Sequence, residues 1–244
     1  MHTLNKIFDK IVCISLKERD DKYNFMKKQF EKHEIDNVEF HRPVVPGYAL
    51  KFIDLYTNTY NDYNKNYVLF NKHFPNELGA FQSHYHVIKT ALLEGVEKLF
   101  VFEDDCLFYK NWNDILPKYL DTLPEDWDGI LLYSYMSTLA TENKRVKPRW
   151  TKGFSSWSLL AYGLSKKAME GYIKIQDENP MIADRASLVM MTHQNYNFYI
   201  ATPPLVIPSK LLTSNIRGEN KNYDKPQFLG GNIFLLGINE SQYE

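Results

Sequence analysis

Lys98-Leu99-Phe100-Val101-Phe102-Glu103-Asp104-Asp105-Cys106 runs from four consecutive apolar residues straight into three carboxylates. A short run that is apolar on both faces predicts a buried strand of a mainly parallel sheet over Leu99 to Phe102. In open α/β sheets ligands sit beyond the carboxyl ends of the strands, so the acids fall at the default ligand edge. If the alternation of strand side chains continues, Glu103 and Asp105 point to one side and Asp104 to the other. That leaves an i, i+2 pair able to share a hard divalent ion and a ribose hydroxyl. The alternative is that Asp104 or Asp105 caps a turn and its neighbours are solvated surface.

The composition narrows the classes. With 244 residues the chain can bury the core of one large α/β domain. Twenty-nine Lys and Arg against 30 Asp and Glu leave a net charge of -1, which gives no reason to expect nucleic acid or a coated membrane as partner. The two cysteines, Cys13 and Cys106, show no CxxC or Cys/His ligand spacing, so buried reduced thiols are expected rather than a zinc site. No apolar run reaches bilayer length, so no transmembrane segment is expected. The chain reads as cytoplasmic, with peripheral docking at a membrane left open.

Upstream of the acids, Lys10 to Leu16 predicts a first strand, and the helical recurrence of Tyr23, Met26, Lys27 and Phe30 a helix ending at His33. Arg19 and Lys22, between the two, are within reach of a diphosphate or are plain charges at a helix start. Val38 to Val45 predicts a second strand, and Pro46 to Asn76 a polar segment that is a lid or binding loop, or mobile. Leu78, Phe81, Tyr85, Ile88 and Leu92 step by three and four, which predicts a helix from Asn76, its cap, to Gly95, its stop. Gly79 and Ser83 lie in its early turns, where free N–H groups and the dipole favour an anion. A glycine there suggests close approach of a ligand or of another backbone. His84 and His86 are two apart, so they face different sides and are expected to be satisfied structural residues rather than paired metal ligands.

Downstream, Trp112 to Leu123 predicts a helix that Pro117 kinks or delays, and Trp127 to Tyr133 a turn and then a strand. Thr138 to Lys152 is polar and basic and reads as a solvated loop. Ser156 to Leu164 predicts a strand, and Ser165 the cap of a helix from Lys166 to Ile175. Pro180 to Asp184 leads into a short helix through Leu188 and Met191. Asn197 to Ile207 reads as a last strand interrupted by Pro203-Pro204.

The order of these residues resembles glycosyltransferase family 25, the lipooligosaccharide and collagen-type galactosyltransferases. The likeness lies in Ile14-Ser15-Leu16 with Arg19, in Glu77-Leu78-Gly79-Ala80-Phe81 with Ser83-His84, and in Phe102-Glu103-Asp104-Asp105. It continues in Tyr162 with Ser165 and Ala168, in Asp184 before a helix, and in Ser214-Asn215-Ile216. Two departures stand out: Ser15 replaces the usual Asn, and Tyr133-Ser134 the usual Leu-Gly. The resemblance implies an α/β fold of GT-A-like type, a mainly parallel central sheet flanked by helices, as one domain over 1–244. Residues 1–110 would form its nucleotide-sugar half and 111–244 its acceptor half.

The implied activity is transfer of galactose or glucose from a UDP-sugar to a hydroxyl of a glycan, or of a hydroxylated protein or lipid, assisted by Mn²⁺ or Mg²⁺. Asp105 would hold the metal, and Glu103 the ribose or the metal's water shell. Asp104 would orient the motif or touch the sugar. Ser15, Leu16, Arg19, Gly79, Ser83 and His84 would line the donor. Asp184 is the candidate base, with a helix cap as its other reading. A catalytically silent domain that binds a sugar nucleotide or a protein partner is the alternative.

Overall fold

The computed structural model describes residues 3–43, 74–134, 145–147, 149–153, 158–178, 180–193, 196–209, 212 and 240–244. Of the segment Pro46 to Asn76 expected to be a lid or loop, residues 46–73 lie outside these, as does the triplet Ser214-Asn215-Ile216, and 74–76 belong to a helix. In chain order the elements are α1 (Thr3–Ile7), β1 (Lys10–Ile14), α2 (Asp20–Lys32), β2 (Val38–His41) and α3 (Phe74–Leu93). Then come β3 (Lys98–Glu103), β4 (Cys106–Phe108), α4 (Trp112–Leu120), β5 (Gly129–Leu131), β6 (Arg145–Lys147), β7 (Trp150–Lys152) and β8 (Ala161–Ser165). Helices α5 (Lys166–Glu178) and α6 (Ala183–His193), strands β9 (Phe198–Ala201) and β10 (Val206–Pro208), and a 3₁₀ turn (Glu240–Gln242) complete the described chain.

Eight strands form one sheet in the order β2-β1-β3-β8-β5-β9-β7-β6. The pairings β1–β2, β1–β3 and β5–β9 are parallel, whereas β8 and β7 are antiparallel to both of their neighbours. All the strands except β8 and β7 therefore run one way, which agrees with the mainly parallel sheet expected. The sheet passes through both proposed halves, because β3 pairs with β8.

Both faces of the sheet are apolar, as a helix-covered sheet requires. Ile11, Cys13, Phe100, Phe102, Ile130 and Tyr199 face one core with Met26, Phe30 and Trp112 from α2 and α4. The residues between them, Val12, Leu99, Val101, Leu131 and Ile200, face a second core with Ile88, Met169 and Met190 from α3, α5 and α6. Gly163 of β8 leaves room for the Phe8 ring, whose carbons a Cβ there would meet at 2.6 Å.

Several boundaries differ from expectation for local reasons. Helix α3 begins at Phe74, so Asn76 lies inside its first turn rather than at the cap. Its end agrees: Gly95 adopts φ 77°, and its N–H and that of Val96 donate to Leu92 and Ala91 carbonyls. Ser165 does cap α5, its Oγ accepting from the Ala168 N–H at 3.3 Å. Pro117 sits inside α4, which ends at Leu120. The basic stretch expected as a loop contains the antiparallel pair β6–β7 at the sheet edge. Trp150 explains this, since it is fully buried and its Nε1 donates to the Tyr119 carbonyl at 2.7 Å.

The last strand expected is two strands in two sheets. β9 belongs to the large sheet, and after the cis Thr202-Pro203 bond β10 pairs antiparallel with β4. On the other side of β4, Phe108 exchanges backbone hydrogen bonds with Glu244. The Ser209 N–H also donates to the Asp105 carbonyl at 2.7 Å. Strand β4, which follows the acidic turn, is thus held on both sides, and the turn itself through Ser209. Cys13 and Cys106 are both buried and free, as expected.

Candidate active site

Strand β3 stops at Glu103, and Asp104-Asp105 form the turn into β4. The period of two ends with the strand, yet the charge of Glu103 still bears on Asp105, ahead of that of Asp104. Asp104 and Asp105 share Lys22 of α2, whose Nζ donates to Asp104 Oδ1 at 2.8 Å and Asp105 Oδ2 at 3.3 Å. Glu103 turns to the α3 side and accepts from His84 Nε2 at 3.2 Å, with His84 Nδ1 2.8 Å from the Tyr162 hydroxyl. The two acids that share a cation of the chain itself are therefore Asp104 and Asp105.

Lys22 corrects the reading of a surface charge, for its side chain is only 2% exposed. Burial disfavours its ammonium, but Asp105 and Asp104 outweigh that and hold its pKa above the ordinary value. Burial also raises Asp104, and raises Asp105 to about 6, with Lys22 opposing both shifts. Glu103 moves the other way: burial pushes its carboxyl up, but the hydrogen bond from His84 prevails and holds it below its usual range.

One oxygen of each aspartate is left over. Asp104 Oδ2, Asp105 Oδ1 and Ser15 Oγ are enclosed and have no hydrogen-bond partner among the described residues. Ser15 is fully buried beside Asp104 and favours its carboxylate, although the hydroxyl does not reach good hydrogen-bond geometry. Unpaired buried oxygens cost stability unless a ligand satisfies them. Among the described residues no three His, Cys, Asp or Glu side chains are arranged to hold a metal. Two carboxylates still fit the mode of a hard cation such as Mg²⁺, which keeps waters and takes its other ligands from substrate phosphates.

The remaining candidates divide into those at this edge and those occupied elsewhere. The Leu16 carbonyl accepts from Arg42 Nη2, which also donates to the Lys17 carbonyl and Asp20 Oδ1 and so ties down the loop after β1. Arg42 escaped sequence reading because nothing local marks a clamp across 25 residues. Arg19 is bound to Asp21 through two hydrogen bonds of 2.8 and 2.7 Å, and its charge still bears on Asp104 and Asp105.

On α3, Gly79 has no described atom within 4 Å of where a Cβ would stand, so close approach of another backbone does not explain it among the described residues. The Ser83 hydroxyl donates back to the Gly79 carbonyl at 2.8 Å, inside the helix rather than at its free N–H groups. His84 is buried with both ring nitrogens engaged, so it enters the site through Glu103. Asp184 is half-buried in the first turn of α6, near enough for its charge to bear on Tyr162 and Tyr172.

His86 does not bind with His84 but stacks on His41, ring centroids 5.1 Å apart and planes at 27°. Burial, then the neighbouring His86 and His84, lower the His41 pKa to about 4. The unfolded chain then binds the proton better, so the His41 contribution is whole above its ordinary pKa of about 6.5 and is lost as pH falls through 4. We expect His41→Gln to flatten the fall in melting temperature between about pH 6.5 and 4. An unchanged slope would remove His41 as the cause.

Residues 8–157 match glycosyltransferase family 25, described as an LPS biosynthesis protein family. The chain belongs to glycosyltransferase family 25. A family 25 member is an enzyme that transfers a glycosyl group, and the matched span contains the acidic turn, Lys22, His84 and the loop after β1. Among solved structures the chain is similar to a glycosyltransferase involved in the glycosylation of the major capsid of PBCV-1. That likeness has 9% identity and a TM-score of 0.45, covering 84% of this chain and 94% of the other. It is also similar to mannose-1-phosphate geranyltransferase from Thermus thermophilus, with 10% identity, a TM-score of 0.32 and 78% and 58% coverage. Among the described residues, no helix of this family 25 chain is long and apolar enough to cross a membrane.

Proposed function

We propose that this family 25 enzyme moves a hexose, galactose or glucose, from a UDP-sugar to a hydroxyl of a glycan or of a hydroxylated protein or lipid, with Mn²⁺ or Mg²⁺ at the acidic turn. The observation that carries this is the pair of unpartnered oxygens, Asp104 Oδ2 and Asp105 Oδ1, enclosed at the carboxyl edge of the sheet. A divalent cation held there supplies positive charge for the departing diphosphate. Lys22 holds one oxygen of each carboxylate, which eases their mutual repulsion and fixes both in direction. Glu103 takes a ribose hydroxyl, while Ser15, Leu16 and Arg19 form the wall after β1. Gly79 leaves α3 open to the donor.

Transfer breaks the bond between the sugar's anomeric carbon and the diphosphate oxygen and makes one to the acceptor oxygen. The acceptor proton must leave to a base within reach. Asp184 takes it in this reading, because its charge already bears on Tyr162, the partner of His84. The test is UDP release by purified protein with Mn²⁺ across a panel of UDP-sugars and hydroxyl acceptors. Release with one donor and one acceptor class is expected. A chain that binds no donor and releases no UDP would sink the reading.

A further inference from the structure

Glu103 is the last residue of β3, and on the α3 side its carboxylate ends a chain of three polar groups. Tyr162, on β8 next to β3, is 1% exposed, and its hydroxyl lies 2.8 Å from His84 Nδ1. His84 Nε2 lies 3.2 Å from Glu103 Oε1. The Glu103 side chain is itself 36% exposed, so one end of this chain reaches solvent and the other is sealed in the core.

The directions of these bonds follow from what each group can do. An ionised carboxylate only accepts, so His84 Nε2 carries a proton. Nδ1 is then an acceptor in the neutral ring, and the Tyr162 O–H donates to it. Protonating Nδ1 as well would force the Tyr162 oxygen to accept. Its own proton would then need another acceptor, and the described residues offer Tyr162 none. A buried hydroxyl without an acceptor is costly, so the neutral Nε2-protonated ring is the arrangement that satisfies every group.

We propose that Tyr162 is a positioning residue for the donor site: it fixes the tautomer of His84, which holds Glu103 Oε1 and leaves Oε2 as the oxygen offered to the donor. The functional half of this rests on the donor reading above; the tautomer half does not. Their spacing in the sequence does not predict the contact, since Tyr162 is 78 residues from His84 and meets it only because β8 inserts beside β3.

The test is ¹⁵N-histidine NMR of the full chain at about pH 8, well above the ordinary histidine pKa, with Tyr162→Phe as the main variant and His84→Gln to assign the resonance. Tyr162→Phe removes one oxygen and keeps the ring, so the fold should survive. We expect wild-type His84 as the Nε2-protonated tautomer, and a mixture of tautomers in Tyr162→Phe. The donor KM of Tyr162→Phe should rise about three- to tenfold, the value of one lost hydrogen bond, with the acceptor KM unchanged. An imidazolium or Nδ1-protonated ring in the wild type, or a Tyr162→Phe spectrum identical to it, overturns the tautomer assignment. A changed tautomer with an unchanged donor KM overturns the positioning role. If the wild type binds no UDP-sugar at all, the donor reading fails while the NMR result still stands on its own.

Discussion

Replacing Lys22 with methionine is expected to destabilise the fold by about 3–5 kcal/mol, the usual effect of removing one partner from a buried ion pair. Asp104, whose side chain is 6% exposed, would lose its only cation within hydrogen-bond distance among the described residues. The loss arises from an uncompensated buried charge rather than from a missing contact, since methionine fills nearly the same volume. It therefore has a signature in pH. As pH falls the orphaned carboxylates take protons, and the deficit against wild type should shrink. Lys22→Met/Asp104→Asn should recover part of it. Urea unfolding at about pH 7 and pH 5, on either side of the raised carboxylate pKa, measures all of this. A Lys22→Met chain as stable as wild type at neutral pH would mean that the triad contributes nothing to the fold.

Asp105→Asn is expected to separate stability from activity. Transfer should fall about a hundredfold or more, the scale on which losing one charge-stabilising group at a reaction centre is felt. Stability should not fall with it. The folded-state pKa of Asp105 is raised to about 6. Its contribution is therefore favourable below the ordinary carboxylate range and is lost as pH rises through 6. At neutral pH the buried charge works against the fold, and asparagine removes it. The side chain keeps 20% of its surface, so the gain is smaller than full burial would give. We expect a melting temperature equal to or above wild type at about pH 7, with any advantage disappearing towards about pH 4. An Asp105→Asn chain that transfers sugar at the wild-type rate would take Asp105 out of the reaction.

Much of this was legible in the residues. The run Leu99 to Phe102, apolar at every position, could only be a strand covered on both faces, and it is buried throughout. The three-and-four spacing of Leu78, Phe81 and Ile88 marked out α3, and Gly95 its end. The direction of the acids was not legible, because alternation holds only while the strand lasts and β3 ends at Glu103.

Lys22 did carry a signal. With Met26, Gln29 and Phe30 it forms the buried stripe of α2, and a lysine on such a stripe demands an anion beside it. The three carboxylates after β3 are the obvious source. Tyr162 and Arg42 carried no such signal, since both act across the sheet order, which sequence spacing does not encode. The β6–β7 hairpin was hidden by its charges, and only Trp150 among them announced a buried strand.

The most direct test of the donor site is a calorimetric titration of UDP-galactose and of UDP-glucose, each with and without Mn²⁺, into the native chain and into Asp105→Asn. The native chain is predicted to bind one of them in a metal-dependent way, and Asp105→Asn, still folded, to lose that dependence. A bound donor at about a hundred times its dissociation constant should also add about 2.7 kcal/mol to the native fold, which gives an independent check by melting. Native protein that takes up neither nucleotide, or Asp105→Asn that binds as the native chain does, would contradict a donor site at the acidic turn.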